Sequence, residues 1–406
     1  MTDIIWQIEQ ESSNLFKWID DVALYNQEKV LKAFQHNNVA SRHFSGTSGY
    51  GYDDIGRDNF SSVFADIFGA EAAIASPAIA SGTHAIALVL YGLLRPGDKF
   101  LSLSGMPYDT LENVISGNNI GSLKDFGIDF EQISLTEKGE FDIDKISKLL
   151  NNNRYKLLFI QRSRGYNWRN ALSIKQIEEV IRHVRKFSDA IIVIDNCYGE
   201  FVEKKEPTNV GADIIVGSLI KNPGGGIAPT GGYMAGRKNL IETIGYRLTA
   251  PGVGTEIGSY AYGYREFYQG LFMAPHITAQ ALKGSILFGK AFSKLGYETL
   301  PLADEKCYDI IRSIKFNTQE ELIKFCQAIQ SCSPVDSFAV PEPYDMPGYN
   351  HQVIMAAGTF VQGSSIELSA DSPIKKPYIA YLQGGLTYEH IKLAVRKCIE
   401  SVSKIS

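Results

Sequence analysis

A strand–helix–strand pattern in the middle of the chain restricts its fold more than any other feature. Two stretches, YKLLFIQ (155–161) and DAIIVIDN (189–196), are rich in the β-branched and apolar residues that strands favour. The segment between them, SIKQIEEVIRHVRKFS, carries apolar residues at helical spacing: Ile174, Ile177, Val180, Ile181 and Val184. Two strands joined through a helix run parallel, so we expect a βαβ unit here.

The same pattern continues in ADIIVGSLIK (212–221) and GGYMAG (231–236). Strands that alternate with helices predict an α/β fold, in which a mostly parallel sheet is covered by helices. We expect three parts: an N-terminal helix and arm over residues 1–65, a large α/β domain over 66–290, and a smaller α+β domain over 291–406.

Two segments near the ends lack this alternation. The opening helix is followed by the glycine- and tyrosine-rich SGTSGYGYDDIGRDN (45–59). In the C-terminal part, the proline-rich SPVDSFAVPEPYDMPGYN (333–350) predicts a loop.

Charge and hydropathy exclude several classes of protein. The net charge of −5 gives no reason to expect binding to nucleic acid or to an anionic membrane. The longest apolar run, HAIALVLYGLL, is too short to span a bilayer. The N-terminal MTDIIWQIEQESSN is acidic and lacks the basic leader of a signal peptide.

The pattern of cysteines predicts a reducing compartment, and the pattern of histidines gives no support for a metal site. The five cysteines are scattered and form no CxxC pair, so we expect a cytoplasmic protein. The seven histidines show neither HExxH spacing nor a cluster with cysteine, and we therefore predict no metal site.

The stretch SPAIASGTHAIALVL is the first that carries a chemical signal. Ser81 can cap a helix that begins near Thr83, and Gly82 allows a ligand to approach the backbone closely. Because a helix N-terminus attracts anions, we expect the ligand bound here to carry a phosphate group. The alternative is an ordinary helix cap.

Two further signals follow successive strands. Asp195, in VIDNCYGEF, ends a strand that should be buried, and a buried carboxylate requires a charged or protonated partner. Ser218 and Lys221 end the next strand, before NPGGG, and ligands of α/β sheets bind at such carboxyl ends. The alternatives are a helix-capping aspartate and a solvated lysine at a turn.

Together these three signals match the needs of pyridoxal 5′-phosphate. Lys221 can form the Schiff base, Asp195 can hold the pyridine nitrogen protonated, and the helix beginning after Ser81 can take the phosphate. A nucleotide-binding module is less compatible, because Lys221 precedes the glycines, the reverse of their order in GxxxxGK[ST].

Four blocks of sequence resemble one known family: SGTHAIALVLYGLLRPGD, VIDNCYGEFVE, IVGSLIKNPGGGIAPTGGY and YLQGGLTYEH. They are similar to the aluminium-resistance or methionine γ-lyase-like proteins, a branch of the cystathionine γ-synthase/β-lyase enzymes of fold type I. The resemblance covers nearly the whole chain. It implies an aspartate-aminotransferase-like large domain and a homotetramer, a dimer of dimers with shared active sites.

The resemblance also implies roles for individual residues. Lys221 would carry the Schiff base and Asp195 would contact the pyridine nitrogen, while Tyr108 would stack on the cofactor ring and act as an acid at the leaving group. The implied phosphate site comprises Ser81, Gly82, Thr83 and Ser218, joined from the neighbouring subunit by Tyr50 or Tyr52 and by Arg57. The alternatives are a turn aromatic at Tyr108 and a surface loop whose Arg57 pairs with a nearby aspartate.

Two departures from the family pattern concern the substrate. Methionine γ-lyases have a cysteine shortly after the stacking tyrosine, but this chain has Thr110, so we do not expect activity on free methionine. The family places a carboxylate-binding arginine in the C-terminal domain, where this chain supplies lysines. The candidates for the substrate carboxylate are Arg162, Arg164, Lys375 and Lys376. The alternative for the two arginines is a pair of salt-bridge residues on a loop between a strand and a helix.

The resemblance thus predicts a lyase that breaks a carbon–sulfur bond. Lys221 would remove the Cα proton of a sulfur amino acid, and elimination at Cβ or Cγ would give a thiol, ammonia and a 2-oxo acid. The alternatives are another reaction of the same cofactor (γ-replacement, transamination or aldol cleavage) and a non-catalytic protein that retains the fold.

Overall fold

The computed structural model describes residues 2–346 and 351–402 and contains two β-sheets. The end of the loop expected at 333–350, residues 347–350, lies outside the described residues. In the described part of the chain, no helix is long and apolar enough to cross a membrane.

The larger sheet has seven strands in the order β1-β7-β6-β5-β4-β2-β3. Its strands are β1 (Ala72–Ser76), β2 (Lys99–Ser102), β3 (Asp129–Gln132), β4 (Leu157–Gln161), β5 (Ile191–Asp195), β6 (Ile214–Ser218) and β7 (Gly232–Gly236). Four of its six pairings are parallel, as the alternating pattern predicts. Only β7 runs against its neighbours, since a loop without an α-helix joins it to β6.

Eleven α-helices are present in the described residues. They are α1 (Thr2–Glu11), α2 (Ser13–His36), α3 (Ile55–Ile67), α4 (Gly82–Leu93), α5 (Asp109–Ser116), α6 (Ile143–Asn152), α7 (Ile174–Val184), α8 (Lys238–Leu248), α9 (Arg265–Lys294), α10 (Gln319–Cys332) and α11 (Tyr388–Val402).

Helices cover both faces of the larger sheet. One face packs against α4, α5 and α8, through side chains such as Ile86, Leu111 and Ile241. The other face packs against α3, α7 and the start of α9, through side chains such as Phe64 and Ile177. Burial of apolar side chains on both faces explains why the strands are continuously apolar.

Helix α7 shows how the local sequence determines where a helix begins. Ser173 accepts a hydrogen bond from the N–H of Gln176, and the Gln176 side chain accepts one from the N–H of Ser173. This capping box begins the helix, and its predicted apolar face is buried against the sheet.

The second sheet is antiparallel, in the order β10-β11-β12-β9-β8. Its strands are β8 (Glu298–Leu300), β9 (Ile311–Phe316), β10 (Val353–Ala356), β11 (Ser369–Pro373) and β12 (Tyr378–Gln383). Helices α10, α11 and the end of α9 form its core, with Phe292, Phe325 and Val395. The expected boundary at residue 290 falls within α9, which contributes to the cores of both sheets.

Candidate active site

A cavity of about 460 Å³ opens where the carboxyl ends of the parallel strands face the second sheet. Gln161 and Asp195, the last residues of β4 and β5, line one side of it. The other side is lined by strand residues of the second sheet, among them Met355, Asp371 and Gln383. Ligands of α/β sheets bind at such carboxyl ends.

Lys221 lies in the loop that follows β6, and its side chain reaches this cavity. Its Nζ lies 4.0 Å from the centre of the Tyr198 ring. Burial by itself lowers the pKa of the Lys221 amine. The neighbouring Cys197, Tyr198 and Asp195 raise it by more, so the pKa lies well above its ordinary value. The loop keeps its path because Asn222 donates a hydrogen bond to the carbonyl oxygen of Glu200, at 3.0 Å.

Asp195 is only 2% exposed, and its Oδ1 accepts a hydrogen bond from the N–H of Cys197 at 3.1 Å. Burial raises the pKa of its carboxyl, and the positive charge of Lys221 counteracts this increase. A buried carboxylate with so few donors is suited to a cationic partner in the cavity.

The N-terminus of α4 reaches the cavity through Thr83, whereas the predicted phosphate residues Ser81, Gly82 and Ser218 are not among the lining residues. Ser81 caps the helix by accepting a hydrogen bond from the N–H of His84 at 3.1 Å, and the helix begins at Gly82, one residue earlier than expected. A Cβ added at Gly82 would lie 3.5 Å from both Cys197 Sγ and Ser218 Cβ. Both distances are ordinary van der Waals contacts, so the start of α4 packs closely against Cys197 and the end of β6.

Tyr108 precedes α5 and lines the cavity. Its hydroxyl is hydrogen-bonded to Thr83 Oγ1 at 2.7 Å, and its N–H donates to Gln161 Oε1 at 2.9 Å. Burial, together with the charge of Asp195, raises the pKa of the Tyr108 phenol well above its ordinary value. The phenol therefore keeps its proton at neutral pH.

The three residues expected from a neighbouring subunit do not line the cavity of their own chain. Tyr50 and Tyr52 are 69% and 64% exposed. Arg57 is buried, and its guanidinium donates to Gly51 O at 3.0 Å and to Asp58 Oδ1 at 2.8 Å. Within one chain, this arm contributes nothing to the site.

The two strand-end arginines do not line the cavity, which contradicts their prediction as carboxylate ligands and agrees with the alternative of salt-bridge residues. Arg162 is fully buried and donates to Asn196 Oδ1, Gly199 O and Glu203 Oε2, each at 2.8 Å.

Arg164 is also fully buried. It pairs with Asp309 at 3.0 Å and donates to Leu300 O at 2.7 Å. Because protein groups occupy the donors of Arg162 and Arg164, neither guanidinium is free to meet a substrate carboxylate. Of the two lysine candidates, the exposed Lys375 lines the cavity, whereas Lys376 does not.

The cavity also contains residues that sequence reasoning missed. Tyr198 has a left-handed backbone, with φ of +69°, which is costly for a residue other than glycine. Its position three residues after Asp195 was the only signal for it. Asp371 and Gln383 come from the second sheet, and no local pattern marks them.

The arrangement fits pyridoxal 5′-phosphate on the chemistry of its groups. The Lys221 amine, the buried Asp195 carboxylate and Thr83, in the first turn of α4, line a single cavity. Helix N-termini bind phosphate, and a buried aspartate suits a protonated pyridine nitrogen. In the described part of the chain, no group of three or more His, Cys, Asp or Glu side chains is placed to hold a metal ion.

Comparisons with known proteins agree with this assignment. The family model described as methionine gamma-lyase matches residues 1–403. A solved Clostridium novyi structure, described as a carbon-sulfur lyase involved in aluminium resistance, is 50% identical in sequence. The match covers 100% of this chain and 96% of the Clostridium chain, with a TM-score of 0.95.

A Listeria monocytogenes structure, a candidate cystathionine beta-lyase involved in aluminium resistance, is 49% identical. The match covers 99% of this chain and 100% of the Listeria chain, with a TM-score of 0.97.

A more distant structure shows how widely the fold is shared. It is a pyridoxal-5′-phosphate-dependent Escherichia coli protein with 16% identity, 95% and 97% coverage of the two chains, and a TM-score of 0.65. This likeness confirms the predicted fold class, the fold type I architecture with a mostly parallel sheet.

Proposed function

The chain belongs to the methionine gamma-lyase family, and we propose that it is a pyridoxal 5′-phosphate-dependent carbon–sulfur lyase that acts on a sulfur amino acid. The observation that supports this most is the convergence of Lys221, Asp195 and the N-terminus of α4 on one cavity. The expected products are a thiol, ammonia and a 2-oxo acid, from elimination at Cβ or Cγ.

Each part of the cofactor has a matching group on the chain. Lys221 would hold it covalently, and Asp195 would contact the pyridine nitrogen. The phosphate would lie at the N-terminus of α4 with Ser81, Gly82, Thr83 and Ser218. When bound, the cofactor supplies an electron sink for the negative charge that develops at Cα.

The chain itself supplies the proton transfers. Lys221 Nζ faces the cavity and is the base that removes the Cα proton. The Tyr108 phenol is protonated at neutral pH, as phenols ordinarily are, and burial raises its pKa further. It can deliver its proton to the departing sulfur. Its hydrogen bond with Thr83 fixes the position of the hydroxyl.

For the substrate carboxylate we propose Lys375. It lines the cavity, and its amine has no ion pair within 4.0 Å among the described residues. A lysine attracts a carboxylate as a point charge, without the bidentate geometry of arginine.

We further propose a cytoplasmic homotetramer, a dimer of dimers in which each active site is completed by a neighbouring chain. The exposed rings of Tyr50 and Tyr52 lie 5.6 Å apart, in the segment that also contains Arg57. Such an exposed aromatic pair is suited to an interface. Since these residues do not line the cavity of their own chain, we propose that they complete the active site of the partner.

Absorbance spectroscopy tests the cofactor assignment. The protein loaded with pyridoxal 5′-phosphate should show a visible band that borohydride abolishes, with the cofactor remaining attached. Lys221→Ala should bind the cofactor without such attachment, whereas the control Lys376→Ala, which lies off the cavity, should behave as wild type. No visible band in the loaded wild-type protein would refute the proposal.

Product analysis then tests the reaction. Addition of cystathionine or cysteine should release pyruvate or 2-oxobutyrate together with ammonia, and the 2-oxo acid identifies the bond broken. Transfer of the amino group to an added 2-oxo acid would indicate a transaminase. Cofactor binding without any turnover would favour a non-catalytic protein.

A further inference from the structure

Arg162 has no role in the reaction proposed above, yet its charged side chain is fully buried. Its guanidinium is bound to residues 196–206, the segment that follows β5, which we call the β5 loop. It donates to Asn196 Oδ1, Gly199 O and Glu203 Oε2, each at 2.8 Å. A buried guanidinium is costly unless it is paired and hydrogen-bonded, so these contacts indicate that Arg162 determines the path of the β5 loop.

The guanidinium of Arg162 lies directly against the backbone of Gly199. A Cβ added at Gly199 would lie 2.5 Å from Arg162 Nη1, 2.7 Å from Cδ and 2.8 Å from Cζ. These distances are shorter than van der Waals contact, so an alanine at this position would push the loop and the guanidinium apart. The Nε of Arg162 donates to Leu172 O at 3.2 Å. Arg162 therefore ties the β5 loop to the segment that precedes α7.

The β5 loop contains two residues in a backbone conformation that only glycine adopts readily. Tyr198 has φ of +69° and Phe201 has φ of +63°. Such conformations cost free energy, persist only where the surrounding contacts impose them, and concentrate at functional sites. Gly199, whose carbonyl oxygen binds Arg162, lies between these two residues. Arg162 is thus placed to impose the strained conformation.

The β5 loop contacts Lys221 and its neighbour in the chain. The centre of the Tyr198 ring lies 4.0 Å from Lys221 Nζ, a distance at which the face of an aromatic ring stabilises a cation. Asn222, which follows Lys221, donates to Glu200 O of the same loop at 3.0 Å. The position of the loop therefore decides where the Lys221 amine lies.

We propose that Arg162 is a positioning residue for Lys221 and acts through the ring of Tyr198. Arg162 holds the β5 loop in its strained conformation, and that conformation keeps the ring against the amine. The ring stabilises the charged form of the amine and restricts its movement in the cavity. This inference rests on the proposed function, in which Lys221 is the reactive amine, and it gives Arg162 a role other than binding a carboxylate.

The titration of the Lys221 amine tests this inference on the full chain without cofactor. The lysines are methylated with ¹³C-formaldehyde and a borohydride, and the NMR signal that is missing in Lys221→Ala identifies Lys221. Arg162→Lys keeps a positive charge beside Glu203 but cannot form the same fork of hydrogen bonds. The proton affinity of the Lys221 amine should fall by about threefold or more in this variant, as expected for a weakened cation–π contact.

Tyr198→Leu shows whether Arg162 acts through the aromatic ring. This substitution alone should lower the proton affinity of the Lys221 amine by a similar factor, and adding Arg162→Lys should lower it no further. A second decrease of the same size in the double variant would overturn the role of the ring. Gly199→Ala should reproduce the effect of Arg162→Lys, and it decides the inference if Arg162→Lys does not fold.

Arg164→Lys is the matched control. Arg164 is equally buried and lies two residues away, but it binds Asp309 and Leu300 O rather than the β5 loop. Arg164→Lys should lower the stability of the protein and leave the titration of Lys221 unchanged. The same shift in Arg164→Lys, or no shift in both Arg162→Lys and Gly199→Ala, would overturn the inference.

Arg162→Lys leaves in place every titratable group that acts on the charge of Lys221. These groups are Asp195, Cys197, Tyr198 and Tyr108, together with Glu200 and Asp371. A shift in the titration of Lys221 therefore reports the position of these groups and not their removal.

The outcome of this test is separate from that of the cofactor assignment. If the wild-type protein loaded with pyridoxal 5′-phosphate shows no visible band, the proposed function fails. The titration of Lys221 in the cofactor-free protein still decides the role of Arg162 in that case.

Discussion

Replacement of Glu200 by glutamine should remove a pH-dependent loss of stability. Glu200 is fully buried, next to the loop that holds Lys221. Its Oε1 accepts a hydrogen bond from the Tyr233 hydroxyl at 2.6 Å, and its Oε2 has no partner. Burial raises the pKa of its carboxyl from 4.5 to about 8, although the Tyr233 hydrogen bond lowers it.

Proton linkage gives the direction in which the free energy of unfolding changes with pH. Because the pKa is higher in the folded state, that state holds the proton over a pH range in which the unfolded state has released it. The free energy of unfolding therefore falls as pH rises from 4.5 towards about 8. The difference of 3.5 pKa units corresponds to about 5 kcal/mol in full.

Glutamine has the shape of the protonated acid and cannot ionise. Between about pH 5 and about pH 7.5, the wild-type protein should lose roughly 3 kcal/mol relative to Glu200→Gln. Urea unfolding at a series of pH values, monitored by circular dichroism, measures this difference. Glu137→Gln, at an exposed loop position, is the control and should show no such trend. A wild-type-minus-Glu200→Gln difference that is constant with pH would refute the reasoning.

Three further predictions concern the arginine pair, the glycine loop and the cofactor site. Arg164→Met should cost about 3–5 kcal/mol in urea unfolding, because it leaves Asp309 buried without its cation; adding Asp309→Leu should restore part of that loss. Gly225→Ala should lower the melting temperature of the protein, since Gly225 has φ of +54° and a Cβ there would lie 2.5 Å from Gly270 O; an unchanged melting temperature would contradict the conformation of the loop. Asp195→Asn should weaken binding of pyridoxal 5′-phosphate by about tenfold or more in a spectroscopic titration, because a neutral amide does not stabilise the protonated pyridine nitrogen.

Short-range patterns in the sequence were enough to predict the parallel part of the larger sheet. Apolar runs and helical spacing depend on residues within one or two turns of one another, so β4, α7, β5 and β6 were found close to their observed limits. The direction of β7 was not predicted, because it depends on a connection without a helix rather than on the strand itself.

Residues at the carboxyl ends of parallel strands were located for the same reason. The sequence alone placed Asp195 and Lys221 at successive strand ends, and parallel strands bring such ends to one edge of the sheet. Ser81 was found from capping chemistry, which is local to the first turn of α4. The cavity that Asp195 and Lys221 share follows from topology, while the roles assigned to these residues stay predictions.

Other properties of the site were decided by the tertiary structure alone. Arg162 and Arg164 stand at a strand end, as a ligand-binding arginine would, but their partners come from elsewhere in the chain, so their burial could not be inferred from their own segment. Asp371 faces the cavity only because the antiparallel sheet packs against the strand ends of the parallel one. Local sequence determines elements and their ends because those interactions are short in range, whereas the charge of the pocket depends on contacts between residues far apart in the chain.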